Sequence, residues 1–368
     1  MLYRINNITN LMYNYLKDNT PPKILTLYFF LKLISVLTAY YFNSNILGAV
    51  NFIYNDLLTY SECDLRSPNS FFTAFNCFFN IKDISSIYVI IFAYFLSTIR
   101  DFIYIIIFNS IIPKRYLLIL VIIFAIHPYL AIYQARFTTS LFASYAFLLV
   151  FIMIRNNLSV NLYFVFIFVF LTGFRNALMP FFIIFIFFEA YKNYKILNPK
   201  KMIFYTISII SIYLVTRIPK EDYALAITKD STNYFSWQSI NNFFSLDMSF
   251  ISHLLTLPVV FISHFICLLG FRESVFADGF GDLLNFSIKS NFQLGIFITL
   301  FFIHFFGIIG FFRFFGKTDI RTWSLIFYFF PTMLFLAHMR YFVPMMPLSI
   351  LGLILFFGAI KVKFPKTN

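Results

Sequence analysis

The chain has 368 residues, 60% of them hydrophobic and only 12% charged, with a formal net charge of +13. A water-soluble domain carries about 25% charged residues, and 57 Phe with 24 Tyr exceed what an interior of this size hides. The surplus cations sit in short gaps between apolar runs and form no basic stripe, which excludes nucleic acid as a partner and leaves membrane lipid as the cover.

In chain order, a polar start with Arg4, Lys17 and Lys23 precedes the first apolar run, with no small-residue cleavage site after it. A spanning helix needs about 20 mostly apolar residues. The runs that read as spans are Ile24–Phe42, Ser86–Phe108, Tyr116–Tyr133, Thr138–Ile154, Val160–Phe174, Ala177–Ala190, Met202–Thr216, Phe292–Phe312, Thr322–Leu336 and Val343–Ile360. Ile251–Gly270 is a further apolar run, but it holds Pro258, His253 and His264, and counting it as a crossing breaks the cation bias. It reads as a re-entrant segment, with a further crossing within Asp222–Phe250 as the alternative. Lys114, Arg115, Arg155, Lys192, Lys200, Lys201, Arg313, Lys317 and Arg321 then share the cytoplasmic side. The expected fold is all-α: one integral membrane domain over 1–368, a polytopic transmembrane helical bundle of about 10 spans. Two long external loops, about 43–85 and 217–291, complete it.

Within the first loop, Ser70–Ile81 places Phe71, Phe72, Phe75, Phe78 and Phe79 at helical spacing, with Thr73, Asn76 and Asn80 largely opposite. This predicts a short helix lying flat in the outer interface, or a hydrophobic lid. Just before it, YNDLLTYSECDLRSP holds Asp56, Glu62 and Asp64. A carboxylate at such a rim serves as a general base toward a sugar hydroxyl, and Asp56 leads because it lies nearest the first apolar run. Asp56 and Asp64 also leave room for a divalent cation held by oxygen ligands, although no other cofactor is implied. Cys63 and Cys77 share this loop and are expected to pair as a disulfide.

Five arginines are expected at external ends of spans: Arg136, Arg175, Arg217, Arg272 and Arg340. External arginines run against the usual bias, and guanidinium forks match phosphate oxygens. Arg136, Arg175, Arg272 and Arg340 are therefore the candidate diphosphate ligands. His127 and His338 lie at external turns as candidate bases, each also readable as a hydrogen-bonded structural group, as is His304. The histidines show no metal-ligand spacing.

These features resemble the Wzy/EpsG class of bacterial O-antigen and exopolysaccharide polymerases: the Phe/Ile/Tyr-rich spans, the external arginines, and a helix of small residues opening after Arg136. The acidic stretch Asp56–Asp64, the helix over Phe71–Phe79 and the segment RYFVPMMPL are similar to GT-C membrane glycosyltransferases, without their adjacent acidic pair. The resemblance implies a bacterial inner-membrane enzyme with its active site facing the periplasm. It would transfer a polyprenyl-diphosphate-linked oligosaccharide to a lipid-linked repeat unit, with a chain-length regulator protein as partner. Asp56, Asp64 and His127 would be its catalytic groups. A GT-C transferase using a polyprenyl-phosphate sugar, or a transporter without chemistry, are the alternatives.

Overall fold

The computed structural model describes residues 22–46, 70–79, 86–127, 130–131, 139–194, 198–215, 288–329 and 342–358. All regular structure there is helical: α1 (Pro22–Ile46), α2 (Ser70–Phe78), α3 (Ser86–Ile111), α4 (Lys114–Ile126), α5 (Thr139–Arg155), α6 (Leu162–Phe174), α7 (Leu178–Lys192), α8 (Pro199–Val215), α9 (Ile288–Phe311), α10 (Ser324–Phe327) and α11 (Met346–Phe357). A π turn, Phe312–Gly316, extends α9, and a 3-10 turn, Ile320–Trp323, opens α10.

Helices occupy the apolar runs because long apolar stretches without strand alternation bury best as helices. The expected ten crossings do not follow from them. Among the described residues only two segments are long and apolar enough to cross a membrane, Ile91–Ile111 and Ile298–Gly316. The physical reason is length. At 1.5 Å per residue, the 13-residue helices α4 and α6 reach about 20 Å, against a hydrocarbon core of about 30 Å. The run expected over Tyr116–Tyr133 stops as a helix at Ile126, and the one expected over Thr322–Leu336 opens as a 3-10 turn followed by a four-residue helix. The polytopic ten-span bundle and the multi-pass inner-membrane placement are corrected accordingly. The re-entrant run Ile251–Gly270 lies outside the described residues, as does most of both long loops.

Aromatic packing holds the core. Phe147, Phe151, Phe168, Phe181, Phe182 and Phe185 are fully buried; Phe168 and Phe182 stack at 4.2 Å between α6 and α7, and Phe151 meets Phe315 at 5.3 Å. The closest pair of helices is α9 and α11. Glycine makes that approach: a Cβ on Gly307 would run into the Ser349 carbonyl, and one on Gly352 into the Gly307 carbonyl. Helix α1 leans mainly on α4 and meets α3 over a short stretch. The helix expected over 70–81 is observed as α2, over Ser70–Phe78. Its Phe72 is buried and its Phe71, Phe72 and Phe75 gather around Phe174 at the end of α6.

Candidate functional site: buried charge between the helices

Three polar clusters lie inside this apolar framework. The first joins α1 to α3. On α1, Tyr28 and Lys32 stand one turn apart on the buried face; on α3, Ser97, Arg100, Asp101 and Tyr104 do the same. Tyr28 Oη donates to Asp101 Oδ2 at 2.5 Å, and Lys32 Nζ donates to the same oxygen at 2.8 Å. Arg100 donates from Nε and Nη2 to Asp101 Oδ1, at 2.8 and 2.6 Å. Lys32 also lies over the rings of Tyr28 and Tyr94, at 5.5 and 5.3 Å. Lys32, Arg100 and Asp101 are all buried, and two cations share one carboxylate.

The second cluster sits where α5, α7 and the 3-10 turn converge. Helix α5 ends in a Schellman motif. Leu158 N–H donates to Met153 O at 2.8 Å and Asn157 N–H to Ile154 O at 3.2 Å, with Asn157 left-handed at φ 50°. That turn presents its oxygens to cations. Lys192 Nζ donates to Asn157 Oδ1 at 2.7 Å, and Arg321 Nη1 donates to Leu158 O at 2.7 Å. Arg321 also donates from Nη1 to Glu189 Oε2 at 2.6 Å and from Nη2 to Asp319 Oδ2 at 2.7 Å, and Lys192 Nζ reaches the same Asp319 oxygen at 2.7 Å. Two cations meet two carboxylates. Burial disfavours the Asp319 charge, but the hydrogen bonds and charge of Arg321, then Lys192, outweigh it and hold the carboxyl below its usual range. Burial likewise opposes the Arg321 charge, and Asp319 and Glu189 overcome it, raising the guanidinium further.

The third cluster links α4, α9 and α11. His127 Nε2 lies 3.0 Å from His304 Nε2, and His304 Nδ1 lies 2.8 Å from Ser349 Oγ. The bonds around them assign the protons. Ser349 Oγ donates to Met346 O, so it accepts from His304 Nδ1–H. His304 Nε2 is then an acceptor, and His127 Nε2–H donates to it. His127 Nδ1 accepts from Leu130 N–H at 3.3 Å, which completes the same assignment. Both rings are neutral and buried.

The candidates from sequence distribute as follows. His127 is buried and turned toward His304. Arg175 caps α6 and donates from Nη1 to Thr139 Oγ1 at 2.7 Å. Asp56, Asp64, Arg136, Arg272 and Arg340 lie outside the described residues, as do Glu62, Arg217 and His338. Cys77 is disulfide-bonded; Cys63 and the chain's third cysteine, Cys267, also lie outside the described residues. Attention to the rim missed Lys32, Arg100, Asp101 and Glu189. Their signal was present: ionisable residues inside apolar runs are expensive, and they stay only where a partner or a function holds them.

No protein-family model, characterised protein or solved structure matches the chain. Among the described residues no group of three or more His, Cys, Asp or Glu is placed to hold a metal ion. The resemblance to Wzy/EpsG polymerases and GT-C transferases rested on a many-span architecture. The described helices do not have that architecture, and no family match stands in its place. The polymerase, transferase and transporter readings are corrected with it.

Proposed function

We propose that the chain is a lipid-contacting helical binding module, anchored through α9. The observation that carries this reading is the outward face of the helices. Leu37 and Phe95 are 60% exposed, Phe166 65% and Leu214 70%. Contiguous apolar surface beyond a few hundred Å² marks a site of membrane or protein contact, and these faces recur on α1, α3, α6 and α8. The two long segments differ in kind. In Ile91–Ile111 56% of the residues are buried, as in a core helix, whereas in Ile298–Gly316 only 39% are, and Ile298, Phe302 and Ile309 are exposed. Helix α9 is accordingly the principal anchor, and the interior, with its charge clusters, is the binding part.

The test is fractionation of expressing cells followed by alkaline carbonate extraction and size-exclusion chromatography. The chain is expected in the pellet after carbonate treatment and monodisperse only with detergent or lipid. A monodisperse chain in plain aqueous buffer overturns the reading.

A further inference from the structure

We propose that the Lys32–Arg100–Tyr104 cluster between α1 and α3 binds a phosphate-class oxyanion. The argument begins with charge. Lys32 and Arg100 are 0% and 1% exposed and share the single carboxylate of Asp101, also 0% exposed. A buried charge without a counter-ion is among the costliest arrangements in a protein. The cluster around Arg321 is an internal comparison, since there the same residue types balance, two cations to two carboxylates.

Hydrogen bonding repeats the contrast. Arg321 uses all three guanidinium nitrogens. Arg100 spends Nε and Nη2 on one oxygen of Asp101, and Nη1 makes no hydrogen bond. One turn along α3, the Tyr104 hydroxyl is buried with no hydrogen-bond partner. Its ring packs on Phe124 at 6.5 Å, the same ring that Tyr28 meets at 5.6 Å. Tyr104 also lies within electrostatic reach of Arg100 and Asp101. Among the described residues, one guanidinium edge, one hydroxyl and one positive charge are left over here, and a single anion with acceptors in more than one direction suits all three. A tetrahedral oxyanion meets that description, and arginine is the residue suited to it. Helix α1, which carries Lys32, is held mainly by α4 and meets α3 over a short stretch.

Such an anion is carried by a lipid headgroup or by free phosphate, and the experiment separates them. The full chain is reconstituted in nanodiscs of phosphatidylcholine alone, or with phosphatidic acid added. Thermal unfolding is then followed with and without inorganic phosphate. Phosphate or phosphatidic acid is expected to raise the Tm in a saturable way. A response to inorganic phosphate identifies a soluble ligand, and a response to phosphatidic acid alone identifies a lipid. Tyr104→Phe keeps the ring and removes one donor, so the apparent Kd should weaken about three- to tenfold. Lys32→Met balances the cluster without an anion. It should fold at least as stably as the parent in phosphatidylcholine and lose the response. The proposal is overturned if neither probe shifts the parent's Tm, or if the shift persists unchanged in Lys32→Met and Tyr104→Phe.

Discussion

Arg321 and Asp101 show how differently one buried charge can be treated. Around Arg321 every donor has an acceptor, drawn from a carboxylate on α7, another beside the 3-10 turn, and the oxygens of a helix C-terminus. Arg321→Met leaves Glu189 and Asp319 buried against too few cations and should cost about 3–5 kcal/mol of stability, read as a fall in Tm in detergent. The paired change Arg321→Met with Glu189→Gln should recover part of that loss; no recovery would show that Glu189 is not an energetic partner. Asp319 adds a pH dependence. Its folded pKa lies below the unfolded value of about 3.9, so its contribution is complete above that pH and is lost as pH falls through the folded value. Melting curves from pH 7 to 3 should fall below about pH 4 for the parent and run lower but flatter for Asp319→Asn. At Asn157 the backbone is left-handed, so Asn157→Ala pays about 1–2 kcal/mol of strain. Asn157→Gly relieves the strain but still loses the oxygen that Lys192 binds.

At the scale of elements, α9 and α11 form the tightest contact, and two devices make it. Gly307, Gly310 and Gly352 let the backbones touch, and the His304–Ser349 hydrogen bond fixes the register between them. Gly352→Ala places a methyl against the Gly307 carbonyl, backbone that cannot swing aside, and should destabilise by about 1–3 kcal/mol. Ser349→Ala strands the His304 Nδ1–H in an apolar interior, at about 1–3 kcal/mol. Hydrogen exchange should then report faster opening in α9 and α11 before α6 and α7. Equal acceleration everywhere would mean that the His304–Ser349 hydrogen bond does not act locally. Helix α2 is the element most legible in advance. The spacing of Phe71, Phe72, Phe75, Phe78 and Phe79 predicts one apolar face, but only Phe71, Phe72 and Phe75 gather on Phe174, while Phe78 and Phe79 are exposed and Thr73 and Asn76, expected opposite, are buried.

At the scale of the whole molecule, Cys77 makes a covalent cross-link. Non-reducing peptide mapping should recover Cys77 joined to Cys63. A Cys77–Cys267 peptide would instead tie the α2 region to the segment between α8 and α9. The apolar runs read from the sequence are largely helical because helix formation depends on local, periodic burial, which any window of the chain displays. Crossing is a different matter. Run length overstates helix length, since Pro113, His127 and Arg175 interrupt or bound helices inside or beside apolar stretches, and among the described residues two segments, not ten, have sufficient length to cross.

Composition and periodicity alone determined that this chain is helix-rich, that charge within its apolar runs is scarce, and that Ser70–Phe78 has one aromatic face. Only the tertiary structure decided which of the scarce charges meet. Lys32 finds Asp101 69 residues away, Arg321 finds Glu189 132 away, and His127 finds His304 177 away. Periodicity shows which face of a helix is buried, but not which neighbour it is buried against. The partner, and with it the balance of charge in each cluster, is set by the packing of whole helices.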